Sequence, residues 1–257
     1  MENKETFDEV ALEYEKCRPT YPNEMFVDIL NYSKIDKEDN ILEIGCGTGQ
    51  ATSGLVNNGY CNITCIELGK NLAQMTSEKF HSYKSIQVIN SSFEQWDGKD
   101  HCFQLAISGT AFHFIEPKFG YRKVWELLSK DGSIGFFWTI HVPSYDNLHS
   151  EIRTHYKDLA PQLDDSKLPT PEETIKERKK ITEETGIFNN IIVKEYNWIQ
   201  TYTSKDYISL LNTHSKHRQL SDDNRKELLD KIKNSIDSAG GLINKDQRVA
   251  LFLGRNK

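Results

Sequence analysis

The chain has no apolar run long enough to span a bilayer, and its first residues, Met1-Glu2-Asn3-Lys4-Glu5, are polar with no hydrophobic leader core. A soluble, cytoplasmic protein without a membrane partner is expected. It also lacks a basic stripe: lysines and arginines are scattered within a net charge of −6, without the electrostatic footprint of a nucleic-acid binder. Cysteine is scarce and unpatterned. The five, at 17, 46, 61, 65 and 102, contain no CxxC pair, and their odd number argues against a disulfide framework. Cys61 and Cys65 have a metal-like spacing but no matching second pair, so reduced thiols and no metal are expected. His214 and His217 stand at i and i+3 in a loop-like stretch and are read as solvent-exposed.

What the chain does have is concentrated in Ile41-Leu42-Glu43-Ile44-Gly45-Cys46-Gly47-Thr48-Gly49. Three alternate glycines end an apolar strand and precede a helix beginning near Gln50, where the partial positive charge of a helix N-terminus collects. Glycine lets a ligand approach main-chain N–H groups that a Cβ would block, so these amides are expected to act as hooks. Glu43 interrupts a buried strand and needs a hydrogen-bonding or cationic partner, which a ligand could supply. A dinucleotide fingerprint would place a small residue at position 50, where Gln50 stands. The pattern Glu-x-Gly-x-Gly-x-Gly instead resembles the first motif of class I S-adenosylmethionine-dependent methyltransferases.

The following segments keep the order of that family. Ile63-Thr64-Cys65-Ile66-Glu67 is a strand ending in an acid about 20 residues past the first glycine, the offset at which a carboxylate meets ribose hydroxyls; Glu67 is that candidate, or an ordinary exposed acid at a strand end. Ile86-Gln87-Val88-Ile89 forms a third strand, and the resemblance then puts Ser92 and Phe93 around an adenine. Phe103 to Ser108 forms a fourth strand and runs into Gly109-Thr110-Ala111-Phe112-His113-Phe114-Ile115-Glu116-Pro117, which resembles the acceptor loop of the type 11 group. Arg18-Pro19-Thr20-Tyr21-Pro22, after an apolar stripe of Phe7, Val10, Ala11 and Tyr14 at helical spacing, is similar to the cofactor-covering entry of type 11 and trans-aconitate-like methyltransferases. Tyr14 and Tyr21 could also simply pack on the core, with Arg18 paired to a surface acid.

The resemblance implies S-adenosylmethionine as cofactor, held by Tyr14, Arg18, Glu43, Gly45, Cys46, Gly47, Gly49, Glu67, Leu68, Ser92, Phe93 and Gly109. Tyr21, Phe112, Phe114 and Trp138 would line the pocket of a small-molecule methyl acceptor. His113 and His141, each at the carboxyl end of a core strand, are either general bases for a hydroxyl or amine acceptor or hydrogen-bonded core histidines. A carboxylate acceptor would need no base. The rival readings are an NAD-dependent oxidoreductase, which lacks a recognisable Tyr-x-x-x-Lys, and a non-catalytic S-adenosylmethionine-binding protein.

The expected architecture is α/β: a doubly wound, Rossmann-like, mostly parallel seven-stranded sheet with an antiparallel last strand, helices on both faces and a helical cap insertion. Cofactor-covering helices would occupy 1–34 and the cofactor-binding core 35–142. Residues 143–185, punctuated by Pro143, Pro161, Pro169 and Pro171 and poor in large apolar side chains, read as the cap. The last two strands and their intervening helices would fill 186–257 of a single domain.

Overall fold

A computed structural model describes residue 15 and residues 20–165 and 168–256. Helix α1 (Asn23–Ser33) leads into β1 (Ile41–Ile44), α2 (Gln50–Asn57), β2 (Ile63–Glu67), α3 (Lys70–Lys79), β3 (Ile86–Asn90) and β4 (Phe103–Gly109). A 3-10 turn (Phe112–Phe114) and α4 (Pro117–Leu127) precede β5 (Leu128–Ile140). The chain continues through α5 (Asn147–Leu159), α6 (Pro171–Glu184), β6 (Phe188–Thr203), α7 (Ser204–Asn212), α8 (Ser215–Arg218), α9 (Asp222–Ser238) and β7 (Leu242–Asn256).

The strands form one sheet in the order β3-β2-β1-β4-β5-β7-β6. Pairing is parallel from β3 to β5 and antiparallel among the last strands, as the sequence pattern leads one to expect. Strand order reverses between β1 and β4, so ligands of such a sheet lie beyond the carboxyl ends of these two strands. β1 is buried at all four positions; Ile41, Leu42 and Ile44 each gain roughly 1.5–3 kcal/mol from burial, which offsets the cost of placing Glu43 among them.

The residues divide into two units. The larger takes 20–140, 172–196 and 249–256, and its core includes Leu42, Ile44, Val124, Phe136, Trp138 and Phe252. The smaller joins 141–171 to 197–248 around Ile152, Tyr207, Leu228, Ile232 and Ile243. The stretch 143–185 is thus shared, α6 going with the larger unit. Helix α4 begins earlier than its apolar periodicity indicates, because Glu116 accepts hydrogen bonds from Lys118 N (3.1 Å) and Phe119 N (2.7 Å) while Pro117 fills the first helical position. The acid-Pro pair of the presumed acceptor loop is therefore a helix cap.

Gly54 sits inside α2, where alanine would ordinarily stabilise by about 1 kcal/mol. A Cβ there would lie 2.2 Å from the Phe26 ring of α1. Gly54→Ala should therefore lower unfolding stability by roughly 1–3 kcal/mol, and Phe26→Leu in the same chain should recover part of it, read by urea denaturation.

Candidate functional site

The glycine turn leaves β1 with Gly45, Gly47 and Gly49 at φ +71°, +57° and +78°, a backbone region that side-chain-bearing residues avoid. A Cβ on Gly45 would lie 2.4 Å from Ala111 Cβ, so the turn meets the loop after β4 where a side chain is missing. The three glycine amides are used within the protein, which corrects their expected role as hooks. Gly45 N donates to Ile66 O (2.8 Å), Gly47 N to Glu67 Oε2 (2.8 Å) and Gly49 N to Cys46 O (2.9 Å). Buried N–H groups must be satisfied, and here β2, the Glu67 carboxylate and the turn itself satisfy them. In the same turn Thr48 Oγ1 is buried with no hydrogen-bond partner among the described residues.

Glu67 is buried at the end of β2, with Oε2 on Gly47 N and Oε1 on Gly69 N, both at 2.8 Å. It fastens the glycine turn to the turn that starts α3. Leu68 follows, its carbonyl held by Asn90 Nδ2 at 2.9 Å. Glu43 needs no ligand as partner: Thr52 Oγ1 donates to its Oε2 at 2.6 Å. Burial nevertheless raises the Glu43 carboxyl to about 7, opposed by the Thr52 hydrogen bond and reinforced by the nearby Glu67 charge. Cys46 is buried, and a hydrogen bond with Cys65 together with burial pushes its thiol well above the ordinary range, where it is unreactive.

At the ends of β4 and β5 a second group assembles. Tyr21 packs edge-on against Phe137 (centroids 4.7 Å), with its hydroxyl 3.4 Å from Thr110 Oγ1 and close to where a Cβ on Gly109 would stand. Thr110 adopts φ +55°, strained for a β-branched residue, and its hydroxyl accepts from Thr139 N at 3.1 Å. Trp138 Nε1 donates to His113 Nδ1 at 3.2 Å. Because indole nitrogen only donates, neutral His113 carries its proton on Nε2 and presents a donor, not a base. Burial, with the Arg178 charge, lowers the His113 pKa to about 4. Arg178 of α6 lies over the Trp138 ring at 5.1 Å.

Other expected positions fall elsewhere. Phe112 is buried between Tyr121 and Phe136, with centroids at 4.9 and 4.3 Å, in the core instead of a pocket wall. Phe93 is likewise a core side chain, beside Trp96. Ser92 opens a turn, its hydroxyl accepting from Gln95 N at 3.2 Å, and Phe114 stacks near His113 at 4.1 Å. His141 belongs to the smaller unit, 3.0 Å from Asp165, so the two candidate bases lie in different units. His217, expected to be exposed, is buried and bonded to the Tyr156 hydroxyl at 2.7 Å; burial lowers its pKa to about 4. Tyr14 and Arg18 lie outside the described residues. Sequence reasoning missed Thr52, Thr110 and Arg178. Only Thr52 carried a signal, nine residues from a strand acid and therefore on the facing turn of α2.

Comparison with known proteins fits this geometry. Residues 41–132 match a family model described as a methyltransferase domain. A putative type II methyltransferase from Anaeromyxobacter dehalogenans superposes with a TM-score of 0.67 at 14% identity, covering 93% of this chain and 97% of that one. The fold is a methyltransferase fold. Phosphoethanolamine N-methyltransferase 2 of Haemonchus contortus, solved with S-adenosylhomocysteine, superposes with a TM-score of 0.58 at 13% identity over 97% of this chain and 57% of its own. By sequence, an uncharacterized methyltransferase-like protein of Schizosaccharomyces pombe is 24% identical over 161 residues, 62% of this chain and 61% of that one. An rRNA adenine N-6-methyltransferase of Lysinibacillus sphaericus is 35% identical over 74 residues, 28% of this chain and 30% of that one. The chain thus spans less than two thirds of the curated relatives it matches.

Two outcomes test the electrostatics of this site. A carboxyl whose folded pKa of about 7 exceeds its ordinary 4.5 takes up a proton on folding, so its contribution is complete below about 4.5 and lost as pH rises through 7. Glu43→Gln should remove up to roughly 3 kcal/mol of stability loss between about pH 5 and pH 8, measured by chemical denaturation at both. Nitrogen NMR of the imidazole should show His113 neutral and protonated on Nε2 down to about pH 5, with the proton redistributing to Nδ1 in Trp138→Phe.

Proposed function

We propose that the protein transfers a methyl group from S-adenosylmethionine to a small-molecule acceptor. The type 11, trans-aconitate-like grouping and a cytoplasmic location are parts of this reading, the grouping supported by the Arg18-Pro19-Thr20-Tyr21-Pro22 entry. The observation that carries the proposal is the turn after β1: three left-handed glycines, fastened by Glu67, form a turn that also carries a buried hydroxyl, Thr48 Oγ1, with no partner among the described residues. This fits an adenosine-bearing ligand. Glu67 ends β2 at the offset where a carboxylate meets ribose hydroxyls, and Thr48 has no hydrogen-bond partner among the described residues.

When bound, S-adenosylmethionine supplies a methyl already activated on sulfonium, so the protein needs no covalent nucleophile and contributes chiefly by holding the acceptor in line. Residues at the ends of β4 and β5 serve that purpose. His113 offers an Nε2–H donor to an oxygen or lone pair of the acceptor, its tautomer fixed by Trp138. Tyr21 and the strained Thr110 are tied together beside Gly109, where the chain has no side chain to obstruct an approach. An acceptor that ionises on its own, or a carboxylate, suits such a site, because His113, its pKa lowered to about 4, is not a base near neutral pH. A nucleic-acid acceptor is disfavoured by the net charge of −6; the rRNA methyltransferase likeness is confined to 28% of the chain.

Titration calorimetry should find S-adenosylhomocysteine binding to the wild-type protein, weakened by about tenfold or more, some 1.4 kcal/mol, in Gly45→Ala. Affinity for NAD with none for S-adenosylhomocysteine would turn the assignment to an oxidoreductase. Cofactor affinity with no S-adenosylhomocysteine release over a broad acceptor panel would leave only a binding protein.

A further inference from the structure

The smaller unit contains a cavity of about 420 Å³, lined entirely by its own residues and within the size range of small-molecule sites. Three of its lining side chains are more than nine-tenths buried and each leaves a polar atom unbonded among the described residues: Ser144 Oγ, His149 Nε2 and His217 Nδ1. One orphaned buried atom is a common exception; three on one cavity wall call for a partner inside it. Lys245 also lines it, and its Nζ donates to Val142 O at 3.3 Å while no carboxylate among the described residues comes within ion-pair distance. Arg153 is committed to Asp165 Oδ1 and Ser144 O, both at 3.0 Å. Lys216 is exposed, so among the described residues Lys245 is the half-buried cation left for a ligand.

The remaining groups narrow the chemistry. Three cationic side chains, Arg153, Lys216 and Lys245, face two carboxylates, Asp164 and Asp165, so the lining carries one excess positive charge when its histidines are neutral. That suits a monoanion better than a phosphate dianion. His149 holds Asp146 Oδ2 through Nδ1 at 2.8 Å, which leaves Nε2 an acceptor seeking an O–H or N–H. Tyr156, Tyr207, Leu163 and Leu211 supply an apolar wall.

We infer that this cavity binds a small hydroxylated monocarboxylate with an aromatic or apolar body, its carboxylate on Lys245 and Ser144 and its hydroxyl on His149. The inference goes beyond the proposed methyl transfer and stands on the smaller unit alone. It is tested on the full chain by calorimetry with 4-hydroxybenzoate, 4-hydroxyphenylacetate and 3-(4-hydroxyphenyl)propionate, each beside its primary amide and beside inorganic phosphate. At least one acid should bind with a Kd below about 1 mM and about tenfold or more tighter than its amide and phosphate. Lys245→Met should lose about tenfold in that affinity while S-adenosylhomocysteine affinity is unchanged. Binding of none of the acids, amides equal to acids, or an unaffected Lys245→Met would each overturn it. Should Lys245→Met not fold, the acid-to-amide ratio in the wild type decides. Acid binding without S-adenosylhomocysteine binding would keep this site and remove the proposed function.

Discussion

The carboxylate of Glu67 is the fastening on which the rest of the larger unit's site depends. Its two oxygens hold Gly47 N and Gly69 N, one on each of the turns that leave β1 and β2. A charge-assisted hydrogen bond to backbone N–H is about twice as strong as a neutral one, and here two of them converge on one buried group. The glycine turn could otherwise relax, since its residues lose more entropy on ordering than any others. With the turn fixed, Gly45 can sit against Ala111, and the loops after β1 and β4 become one surface.

A second constraint acts at the ends of β4 and β5. Trp138 lies between Phe252, 5.3 Å away in the core, and Arg178, so its indole has little freedom. Its single donor then dictates which nitrogen of His113 bears the proton. A histidine that reads as a base becomes a hydrogen-bond donor because of a neighbour 25 residues away in the chain. The same logic governs Glu43, whose neutral tendency comes from burial and from the adjacent negative charge of Glu67, not from its place in a motif.

Much of the fold was legible because its signals are local. The apolar strands and the glycine turn are set by a few contiguous residues, whereas Glu116-Pro117, read as part of an acceptor loop, caps and opens α4. Side-chain roles were less legible. Phe112 and Phe114 flank the same histidine, yet Phe112 turns into the core while Phe114 stacks on His113. Thr110 gives no sign of its left-handed backbone, because a β-branched residue is the last expected there. His217 lay in a stretch that reads as a loop, and its burial follows from Tyr156, brought from α5.

By itself the sequence determined the strand and helix order, the doubly wound class and the place of the glycine turn, since periodicity and turn chemistry act over a handful of residues. Tertiary structure alone decided that the glycine amides serve the turn, that His113 donates, and that 141–171 and 197–248 enclose a cavity with unmet polar atoms. Burial, tautomer and hydrogen-bond satisfaction depend on which distant side chains arrive, and no local pattern encodes that.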